Sequence, residues 1–449
     1  MKTFRYFSFI WLWMATSQAQ LPDLGGVKVS WEHYSGPAAF TATSADPFQL
    51  RVQVDRRGEA RPLTLRVELP NTGRNAWPVN DVEVRIESGT TLPVQRSGIE
   101  WEKLLIPLPE GVSSVVVQAV EPPGGWPKPA PEKDRVIQDA AGGARVRIAN
   151  WPHGRTAALS LRFDDSHPTH LSRAIPILRE YGFKGTFMVN PGPMESGSRQ
   201  NYSFETQHAE WEAVMKQGDM ELANHSAHHR GARSDAEMDV EIGSAAEAIW
   251  KLTPGRSKLM ALNLGGGTRW ETTRTLRSYL HRYHQFDASS GSLGMDDIYG
   301  GRVEAFRKAL ASHLERGLWC RIHYHYIGEN LSTSEENFRA ALDIAKEHQD
   351  KLWIAGMADI HKYQTERHAS KLTVVKADDR SLTFQLAVST DASLYDQPLT
   401  LEIEPSPAWH AQQVILLDQQ GTRIPSETED ALRCVIPPHS ATFVVRASP

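Results

Sequence analysis

The sequence has few cysteines, no cluster of basic residues and no apolar run long enough to cross a membrane. Two cysteines among 449 residues, Cys320 and Cys434, exclude a disulfide scaffold and a cysteine-ligated zinc module. The formal net charge is -5, and no run of Lys and Arg is present. Because phosphate neutralisation needs clustered cations, nucleic acid is excluded as an expected partner. The 40% hydrophobic and 23% charged content is typical of a globular protein with more than one domain.

The N-terminus has the pattern of a signal peptide. Lys2 and Arg5 form a short basic region, an apolar run follows at residues 6–15, and Ser17-Gln18-Ala19 matches a small-x-small cleavage site. The apolar run is well short of the ~20 residues that a membrane-spanning helix needs. We therefore predict a signal peptide over residues 1–19 and a secreted or periplasmic protein without membrane insertion.

Hydrophobic periodicity divides the rest of the chain into three regions. Alternation of apolar and polar residues, as in Leu63–Leu69, predicts a β-sandwich-like domain over residues 20–148. Strands that alternate with helices over residues 149–366 predict an α/β domain with parallel strands, either a barrel or a doubly wound sheet. Two-residue periodicity returns over residues 367–449, which predicts a C-terminal β-sandwich module.

Two adjacent carboxylates follow the first predicted strand of the middle region. Asp164 and Asp165 come directly after the apolar run at residues 159–163. In parallel α/β folds, catalytic groups lie at the C-terminal ends of strands. Adjacent residues there point to opposite sides, so one carboxylate can bind a metal while the other contacts substrate or water. An isolated Asp-Asp pair is also typical of a helix N-cap or a turn.

A histidine cluster follows a later apolar run. His225 and His229 are four residues apart, so one helical turn would place both imidazoles on one face. Two imidazoles and one carboxylate form a common ligand set for zinc or a similar divalent ion. The alternative is a surface histidine patch, and we assign His228 to it.

A second pair of histidines follows the predicted strand at residues 318–322. His323 and His325 alternate with Tyr324 and Tyr326, so both histidines point to the same side and either one can act as a general acid. Tyr324, Tyr326 and Trp270 are candidates for stacking on sugar rings, because aromatic side chains offer apolar faces with polar edges. Packing in the core or at the rim is the alternative for each of them.

The order of these motifs resembles the polysaccharide deacetylase family, also known as the NodB-homology family or carbohydrate esterase family 4. The similarity runs from about residue 158 to 367, and it is clearest at Leu161–Asp165, Phe183–Asn190 and Asn224–His229. The resemblance implies a distorted (β/α) barrel that removes acetyl groups from a carbohydrate with the help of a divalent metal ion. Zinc is the first expectation, and cobalt, nickel and manganese are the alternatives.

The resemblance also implies roles for individual residues. Asp164 matches the family's catalytic base, and Asp165, His225 and His229 match its metal ligands. The strand-end histidine would be the general acid, and His325 fits the family's spacing from the preceding tryptophan better than His323 does.

This chain departs from the family pattern at three places. The family's Asp-x-x-x-Trp motif is not visible, although Asp296 and Asp297 lie in the right third of the domain. Ser166 and His167 follow the Asp pair where most members have glycine. The place of the family's Arg-x-Pro segment, which helps to hold the base, is Leu262–Gly267, and it contains neither arginine nor proline. Arg269 is the candidate replacement. These departures concern the substrate class and the way in which the base is held.

The leading hypothesis is an exported metal-dependent hydrolase that removes acetyl groups from a polysaccharide or oligosaccharide. One alternative is a carbohydrate-binding member of the same fold without catalytic activity. Another is a related metal-dependent hydrolase that cleaves a different C–N or ester bond. No feature of the sequence indicates an oligomeric state.

Overall fold

The computed structural model describes residues 24–45, 48–122, 125–126, 131–138, 144–193, 202–405, 409, 414–427 and 432–447. The predicted signal peptide, residues 1–19, lies outside them. The chain divides into two compact units, one of residues up to 94 together with 102–120, the other of residues 95–101 and 121 onwards. Among the described residues, no helix combines the length and the apolar character that crossing a membrane requires.

Antiparallel sheets build the first unit. Its strands are β1 Lys28–Trp31, β2 Ala39–Ala45, β3 Gln49–Asp55, β4 Leu63–Glu68, β5 Val82–Ile86, β7 Lys103–Leu108 and β8 Ser114–Ala119. Strand β6, Val94–Ser97, begins with the last residue of one segment of this unit, and its other residues belong to the second unit. One sheet contains β1-β4-β7 and the other is β2-β3-β8-β5. Leu63, Leu65 and Val67 of β4 are buried and alternate with more exposed residues, as the periodicity predicted.

The second unit contains the remaining strands and the helices. The strands are β9 Val136–Gln138, β10 Arg145–Ile148, β11 Ala157–Phe163, β12 Gly185–Val189, β13 Glu221–Asn224, β14 Met260–Leu262, β15 Arg269–Thr272, β16 Gln285–Asp287, β17 Leu293–Gly294, β18 Trp319–Tyr324, β19 Leu352–Ile354, β20 Ser370–Asp378, β21 Ser381–Val388, β22 Leu399–Glu404, β23 Val414–Leu417, β24 Arg423–Ile424, β25 Leu432–Ile436 and β26 Ala441–Ala447. The helices are α1 Ile175–Tyr181, α2 Tyr202–Thr206, α3 His208–Gln217, α4 Asp235–Met238, α5 Ala245–Leu252, α6 Leu276–Arg282, α7 Arg302–Arg316, α8 Glu335–Glu347 and α9 Met357–His368.

A parallel, barrel-like sheet forms the centre of the second unit. Its order is β16-β14-β13-β12-β11-β18-β17, and β19 also pairs with β11. Helices α1, α3, α5, α7 and α8 contribute buried apolar residues to the core that packs on this sheet. All seven residues of β11 are buried, as expected of a central strand covered on both faces. The predicted (β/α) barrel is confirmed.

The C-terminal module consists of two antiparallel sheets. One has the order β20-β21-β26-β23-β24 and the other β25-β22-β10-β9. β10 pairs with β22 over its whole length, so β9 and β10, which the sequence assigned to the end of the N-terminal domain, join the C-terminal module by their pairing. Cys434 is buried in this module, Cys320 is buried in β18 within the core that packs on the barrel sheet, and both are free thiols.

Polar residues that follow neighbouring barrel strands come together at one edge of the sheet. Asp164 and Asp165 follow β11, His225 follows β13, Asn263 follows β14, and His325 lies one residue beyond β18. The strands are parallel, so their carboxyl ends face the same way. This edge therefore holds the candidate active site.

A buried glutamate on α9 makes stability depend on pH. Glu366 is fully buried, and its Oε1 accepts from Gln397 N at 3.1 Å, while Oε2 has no hydrogen-bond partner among the described residues. Burial, reinforced by the charge of Asp396, raises the pKa of Glu366 to about 8. An exposed glutamate ionises near pH 4.3, so the unfolded chain releases this proton first. The free energy of unfolding should therefore fall as pH rises from about 4.5 to 8.

We expect Glu366→Gln to remove most of that pH dependence. At pH 9 the variant should unfold at least about 3 °C above the wild type, because the amide carries no charge to bury. Thermal unfolding between pH 5 and 9 measures this. Glu347→Gln, at an exposed acid on α8, is the matched control and should follow the wild type. Parallel pH curves for Glu366→Gln and the wild type would contradict the assignment.

Candidate active site

Three side chains from two strand ends meet with the geometry of a cation site. Asp165, His225 and His229 each offer a donor atom within 4.8 Å of the others. The Nε2 atoms of His225 and His229 lie 3.2 and 3.7 Å from Asp165 Oδ1. His225 Nδ1 donates to the Asn263 carbonyl oxygen at 2.9 Å, so Nε2 is the nitrogen that faces Asp165 and can bind a metal ion. Two imidazoles and one carboxylate oxygen fit the donor set of a divalent metal ion.

The protonation states of Asp165 and His229 suit metal binding, whereas His225 must release a proton first: burial would lower the pKa of His225, but the charge of Asp164 and the hydrogen bond to Asp165 raise it. Burial alone would raise the pKa of Asp165, but the hydrogen bond from His225 and the charges of His225 and His229 hold it well below its usual range. Burial, together with the charge of His225, lowers the pKa of His229 to about 4. A carboxylate beside an uncharged imidazole is the state in which these side chains bind metal ions.

The two histidines lie on a loop, so the prediction of a helical turn is wrong. Ser226 and His229 have φ values of 65° and 52°, which lie in the left-handed region and outside the range of an α-helix. Asn224 Oδ1 accepts from the Ser226 backbone N–H at 2.8 Å, and Ser226 Oγ accepts from the His229 backbone N–H at 3.0 Å. These local side-chain bonds replace the helical hydrogen bonds. The short loop brings both imidazoles to one side, with ring centroids 4.6 Å apart.

His228 belongs to the support of this loop and not to a surface patch. Its side chain is 8% exposed, and Nδ1 lies 2.7 Å from Oε1 of Glu241, which is fully buried. Glu241 also accepts from the His228 backbone N–H at 2.9 Å and from Arg230 Nε at 3.0 Å. One buried carboxylate therefore fixes the segment between and beyond the two candidate ligands, and the surface-patch prediction is wrong.

Asp164 is held by one oxygen and free at the other. Oδ2 accepts from Arg162 Nη2 at 3.0 Å and from Asn263 Nδ2 at 3.1 Å, whereas Oδ1 has no hydrogen-bond partner among the described residues. Burial would raise the pKa of Asp164, but the Arg162 guanidinium and nearby histidines lower it. The side chain is thus an ionised, oriented carboxylate with one oxygen available to take a proton.

The arginine that contacts the candidate base is Arg162, and not Arg269 as the sequence predicts. Arg269 is exposed. Arg162 is buried, and its second nitrogen, Nη1, donates to the Ala288 carbonyl oxygen at 2.9 Å. The signal was available in the sequence, because residues two apart on a strand share a face and Arg162 precedes Asp164 by two.

His325 has the setting of a proton donor. Its Nδ1 lies 2.7 Å from Oδ2 of Asp296, and the side chain is 30% exposed. Burial would lower the pKa of His325, but the hydrogen bond to Asp296 and the charges of Asp164, Asp296 and Asp165 raise it to about 9. The imidazole is therefore protonated at neutral pH. The sequence places Asp296 in the expected third of the domain, but no local pattern indicates that it contacts His325.

His323 lies beside His325 but has the opposite electrostatic setting. The Nδ1 atom of His323 is 2.9 Å from Ser292 Oγ. Burial, together with the charge of Arg162, lowers the pKa of His323 to about 4. His170 is buried and donates Nε2–H to the His325 carbonyl oxygen at 2.6 Å, so it supports the backbone of this segment. Of the two candidate acids, His325 is the one that holds a proton at neutral pH.

Only one of the three predicted sugar-stacking residues reaches the site. Tyr326 donates its hydroxyl to Asp165 Oδ2 at 3.1 Å, and its ring lies 4.1 Å from that of His167. Tyr324 is fully buried against Phe163, because the alternation of β18 turns it toward the helices. Trp270 is fully buried in a core cluster and donates Nε1–H to Thr268 Oγ1 at 2.7 Å. The predictions for Tyr324 and Trp270 are wrong.

Comparison with known proteins identifies the family of the barrel. The family model described as polysaccharide deacetylase matches residues 154–282, which span β11 to α6 and include Asp164, Asp165, His225 and His229. The chain contains a polysaccharide deacetylase domain. This family comprises hydrolases that act on carbohydrates, and the order of strand-end residues in the deacetylase domain agrees with the resemblance seen in the sequence.

Individual relatives of the deacetylase domain are distant. A gellan lyase from a Bacillus species is 23% identical over 299 residues, which are 59% of this chain and 12% of that protein. The chain thus spans about an eighth of that curated relative. A solved putative polysaccharide deacetylase from Mycobacterium smegmatis is 16% identical, covering 54% of this chain and all of that one, with a TM-score of 0.38. A family 4 carbohydrate esterase from Streptomyces lividans is 20% identical over 46% of this chain and 95% of that one, with a TM-score of 0.33.

Proposed function

We propose that the protein is an exported, metal-dependent hydrolase that removes acetyl groups from a polysaccharide or oligosaccharide. The observation that carries the proposal is the convergence of three kinds of group at one sheet edge. These are the Asp165–His225–His229 set, an oriented carboxylate at Asp164 and a protonated imidazole at His325. Hydrolysis of an acyl group needs an electrophile, a base and an acid, and each of these groups suits one of the three roles.

The metal would be held by Asp165, His225 and His229. A divalent ion at these donors supplies Lewis-acid polarisation of the acetyl carbonyl. We propose zinc, because two imidazoles and a carboxylate are common zinc ligands; cobalt, nickel and manganese accept the same donors. The hydroxyl of Tyr326 donates to Oδ2 of Asp165, whereas the two histidines lie close to Oδ1. This hydrogen bond orients the carboxylate, as partners of metal-binding carboxylates commonly do.

Proton transfers are assigned to Asp164 and His325. The free Oδ1 of Asp164 takes a proton from water as the water oxygen bonds to the acetyl carbon. His325 gives its proton to the leaving nitrogen or oxygen as the bond from the acetyl carbon to that atom breaks, which yields acetate and an amine or alcohol. Arg162 and Asn263 keep the other oxygen of Asp164 occupied, so that the carboxylate keeps its orientation during the transfer.

Acetate release tests the proposal. The purified full chain is incubated with a panel of N-acetylated and O-acetylated glycans, with divalent metal and, separately, with a chelator. We expect metal-dependent release of acetate from at least one class of glycan, and the class identifies the substrate. Binding of a glycan without release would favour the carbohydrate-binding alternative. Metal-dependent cleavage of other esters or amides, with no release from glycans, would favour the alternative hydrolase.

The Asp296–His325 pair predicts a specific pH dependence. His325 must be protonated to act as the acid, so kcat/KM should fall as pH rises through about 9. Asp296→Asn removes the hydrogen-bonded charge that raises this pKa. The alkaline limit should then move down by at least about one pH unit. A pH profile of kcat/KM measures the limit, and an NMR titration of His325 measures the pKa directly.

The neighbouring carboxylate provides the control for this experiment. Asp297 accepts hydrogen bonds from Ser334 N and Asn337 Nδ2 at the start of α8, at 2.8 and 2.9 Å. Asp297→Asn should keep the alkaline limit near pH 9. An unchanged limit in Asp296→Asn would remove His325 from the role of acid.

Export is proposed from the N-terminal sequence. Lys2 and Arg5, the apolar run at residues 6–15 and Ser17-Gln18-Ala19 support cleavage before Gln20. Mass spectrometry of the mature N-terminus in a secreting host tests it. A cell-retained product that begins at Met1 would contradict it.

A further inference from the structure

The loop at residues 263–268, which follows β14, contacts the candidate base and one histidine ligand through a single residue. Asn263 Nδ2 donates to Asp164 Oδ2 at 3.1 Å, and the Asn263 carbonyl oxygen accepts from His225 Nδ1 at 2.9 Å. All three residues are buried. The positions of Asp164 and His225 therefore depend on how this loop is held.

The same loop packs against the second histidine ligand. Gly265 has a φ of 85°, in the left-handed region that favours glycine. A side chain at Gly265 would overlap Nε2 of His229, the atom that faces Asp165, so the backbone of Gly265 lies directly against the imidazole. A displacement of the loop would therefore move His229 or leave one side of its ring unsupported.

A segment that lies far from this loop in the sequence packs on it. The chain leaves the first unit after Val94 and returns to it at Glu102, and residues 95–101 between them belong to the same compact unit as the barrel. We call these seven residues the excursion. Strand β6, most of which lies in the excursion, is hydrogen-bonded to β15, the strand that follows the loop.

Gly98 makes the closest contact between the excursion and the loop. Its backbone N–H donates to the Thr268 carbonyl oxygen at 3.2 Å, and a side chain at Gly98 would overlap the Gly265 carbonyl oxygen and Thr268 Oγ1. That hydroxyl is itself fixed, because it donates to the Gly265 carbonyl oxygen at 2.7 Å and accepts from Trp270 Nε1 at 2.7 Å. A side chain at Gly98 thus has no flexible neighbour to displace and has to shift the loop.

Buried contacts hold the excursion in place. Arg96 Nη1 donates to the Trp101 carbonyl oxygen at 3.2 Å, and its guanidinium lies 4.9 Å from the centre of the Trp101 ring. Trp101 is buried in one cluster with Leu264 and Trp270, which lie in and next to the loop. The excursion is therefore a fixed surface behind the loop.

We propose that the excursion is a positioning element of the metal centre, which keeps the loop at residues 263–268 seated against His225 and His229. The inference rests on the proposed metal site and goes beyond it, because it makes the affinity for metal depend on a segment that precedes the barrel in the sequence. Loss of the groups that orient metal ligands lowers metal affinity by about 10–100-fold. Gly98 is the residue at which the excursion is most sensitive to substitution.

Metal affinity tests this role without any need for a substrate. Competition with a chromogenic chelator measures the affinity of the full chain for zinc, and the visible absorption of the cobalt-loaded chain reports the geometry of the ligands. We expect Gly98→Ala to bind zinc at least about tenfold more weakly and to have an altered cobalt spectrum, under conditions in which circular dichroism shows that it is folded. Gly266→Ala is the matched control, because a Cβ there meets only Ile99 Cδ1, at 4.0 Å, and it should bind zinc as the wild type does.

A second pair of variants separates positioning from a general loss of stability. Trp101→Leu removes the packing of the excursion on Leu264, and Trp77→Leu removes a buried tryptophan from the core of the first unit. Both variants should melt at a lower temperature than the wild type. We expect only Trp101→Leu to bind zinc more weakly, and this pair decides the question if Gly98→Ala does not fold.

The outcomes distinguish this role from the proposed activity. Wild-type zinc affinity in Gly98→Ala and Trp101→Leu, whatever their melting temperatures, would overturn the positioning role and leave the deacetylase proposal intact. Equal weakening in Trp101→Leu and Trp77→Leu would also overturn it. A wild type that binds zinc but releases no acetate would remove the proposed activity, and the same affinities would still decide the role of the excursion. A folded wild type without affinity for zinc or cobalt would overturn both proposals.

Discussion

Replacing Asp164 with asparagine should lower the rate of acetate release by about 10²–10⁴ while the metal stays bound. Oδ1 of Asp164 is the carboxylate oxygen that has no hydrogen-bond partner among the described residues, and the substitution removes its basicity. An asparagine keeps the size of the side chain and still offers an oxygen to Arg162 and Asn263. The measurement is kcat on the best substrate of the panel, together with metal content per chain.

The matched control for Asp164→Asn is Asp219→Asn. Asp219 is a partly exposed carboxylate of the same domain that pairs with Arg179 at 2.6 Å. Its substitution should leave kcat close to that of the wild type. If Asp164→Asn kept more than about a tenth of the wild-type rate with metal bound, Asp164 would not be the base.

Replacing Asp165 with alanine should abolish metal binding under conditions in which the wild type holds one ion. Substitution of a residue that hydrogen-bonds to a metal ligand lowers the affinity for the metal by about 10–100-fold, and removal of a ligand itself should lower it further. The two imidazoles of His225 and His229 remain, but the variant lacks the one carboxylate of the ligand set and therefore its negative charge. Competition with a chromogenic chelator measures the affinity, and acetate release should disappear along with the metal.

His167→Ala is the control for Asp165→Ala. His167 is two residues along the chain and packs against Tyr326, yet it is not one of the three converging residues. This variant should bind metal with nearly the wild-type affinity. Retention of metal in Asp165→Ala, or its loss in His167→Ala, would mean that the ligand set is assigned wrongly.

Features that depend on neighbours along the chain could be predicted from the sequence. The strand at residues 157–163 and the two carboxylates after it follow from an uninterrupted apolar run that ends in Asp164 and Asp165. Ser234 caps the helix that follows it, since its Oγ accepts from Glu237 N at 3.2 Å. These elements depend on periodicity and capping, which are properties of local sequence.

Contacts between distant segments could not be predicted. The pKa of His325 is raised by its hydrogen bond to Asp296, which lies 29 residues earlier in the chain. His228 forms a hydrogen bond with Glu241, which lies across a loop. In the sequence, Tyr324 and Trp270 are as suitable for stacking on a sugar ring as Tyr326 is. In the structure both are buried, because burial depends on which face of the strand packs against the helices. No local pattern distinguishes a residue on the packed face from one at the rim.

The central claim is that one metal ion at Asp165, His225 and His229 makes this chain a deacetylase. The most direct test is to remove metal from the purified full chain with a chelator and then add zinc back in steps while acetate release is followed. The account predicts no release by the metal-free protein and a rate that rises linearly to a plateau at one ion per chain. Release by the metal-free protein, or a metal-loaded protein that releases nothing from any acetylated glycan, would contradict it.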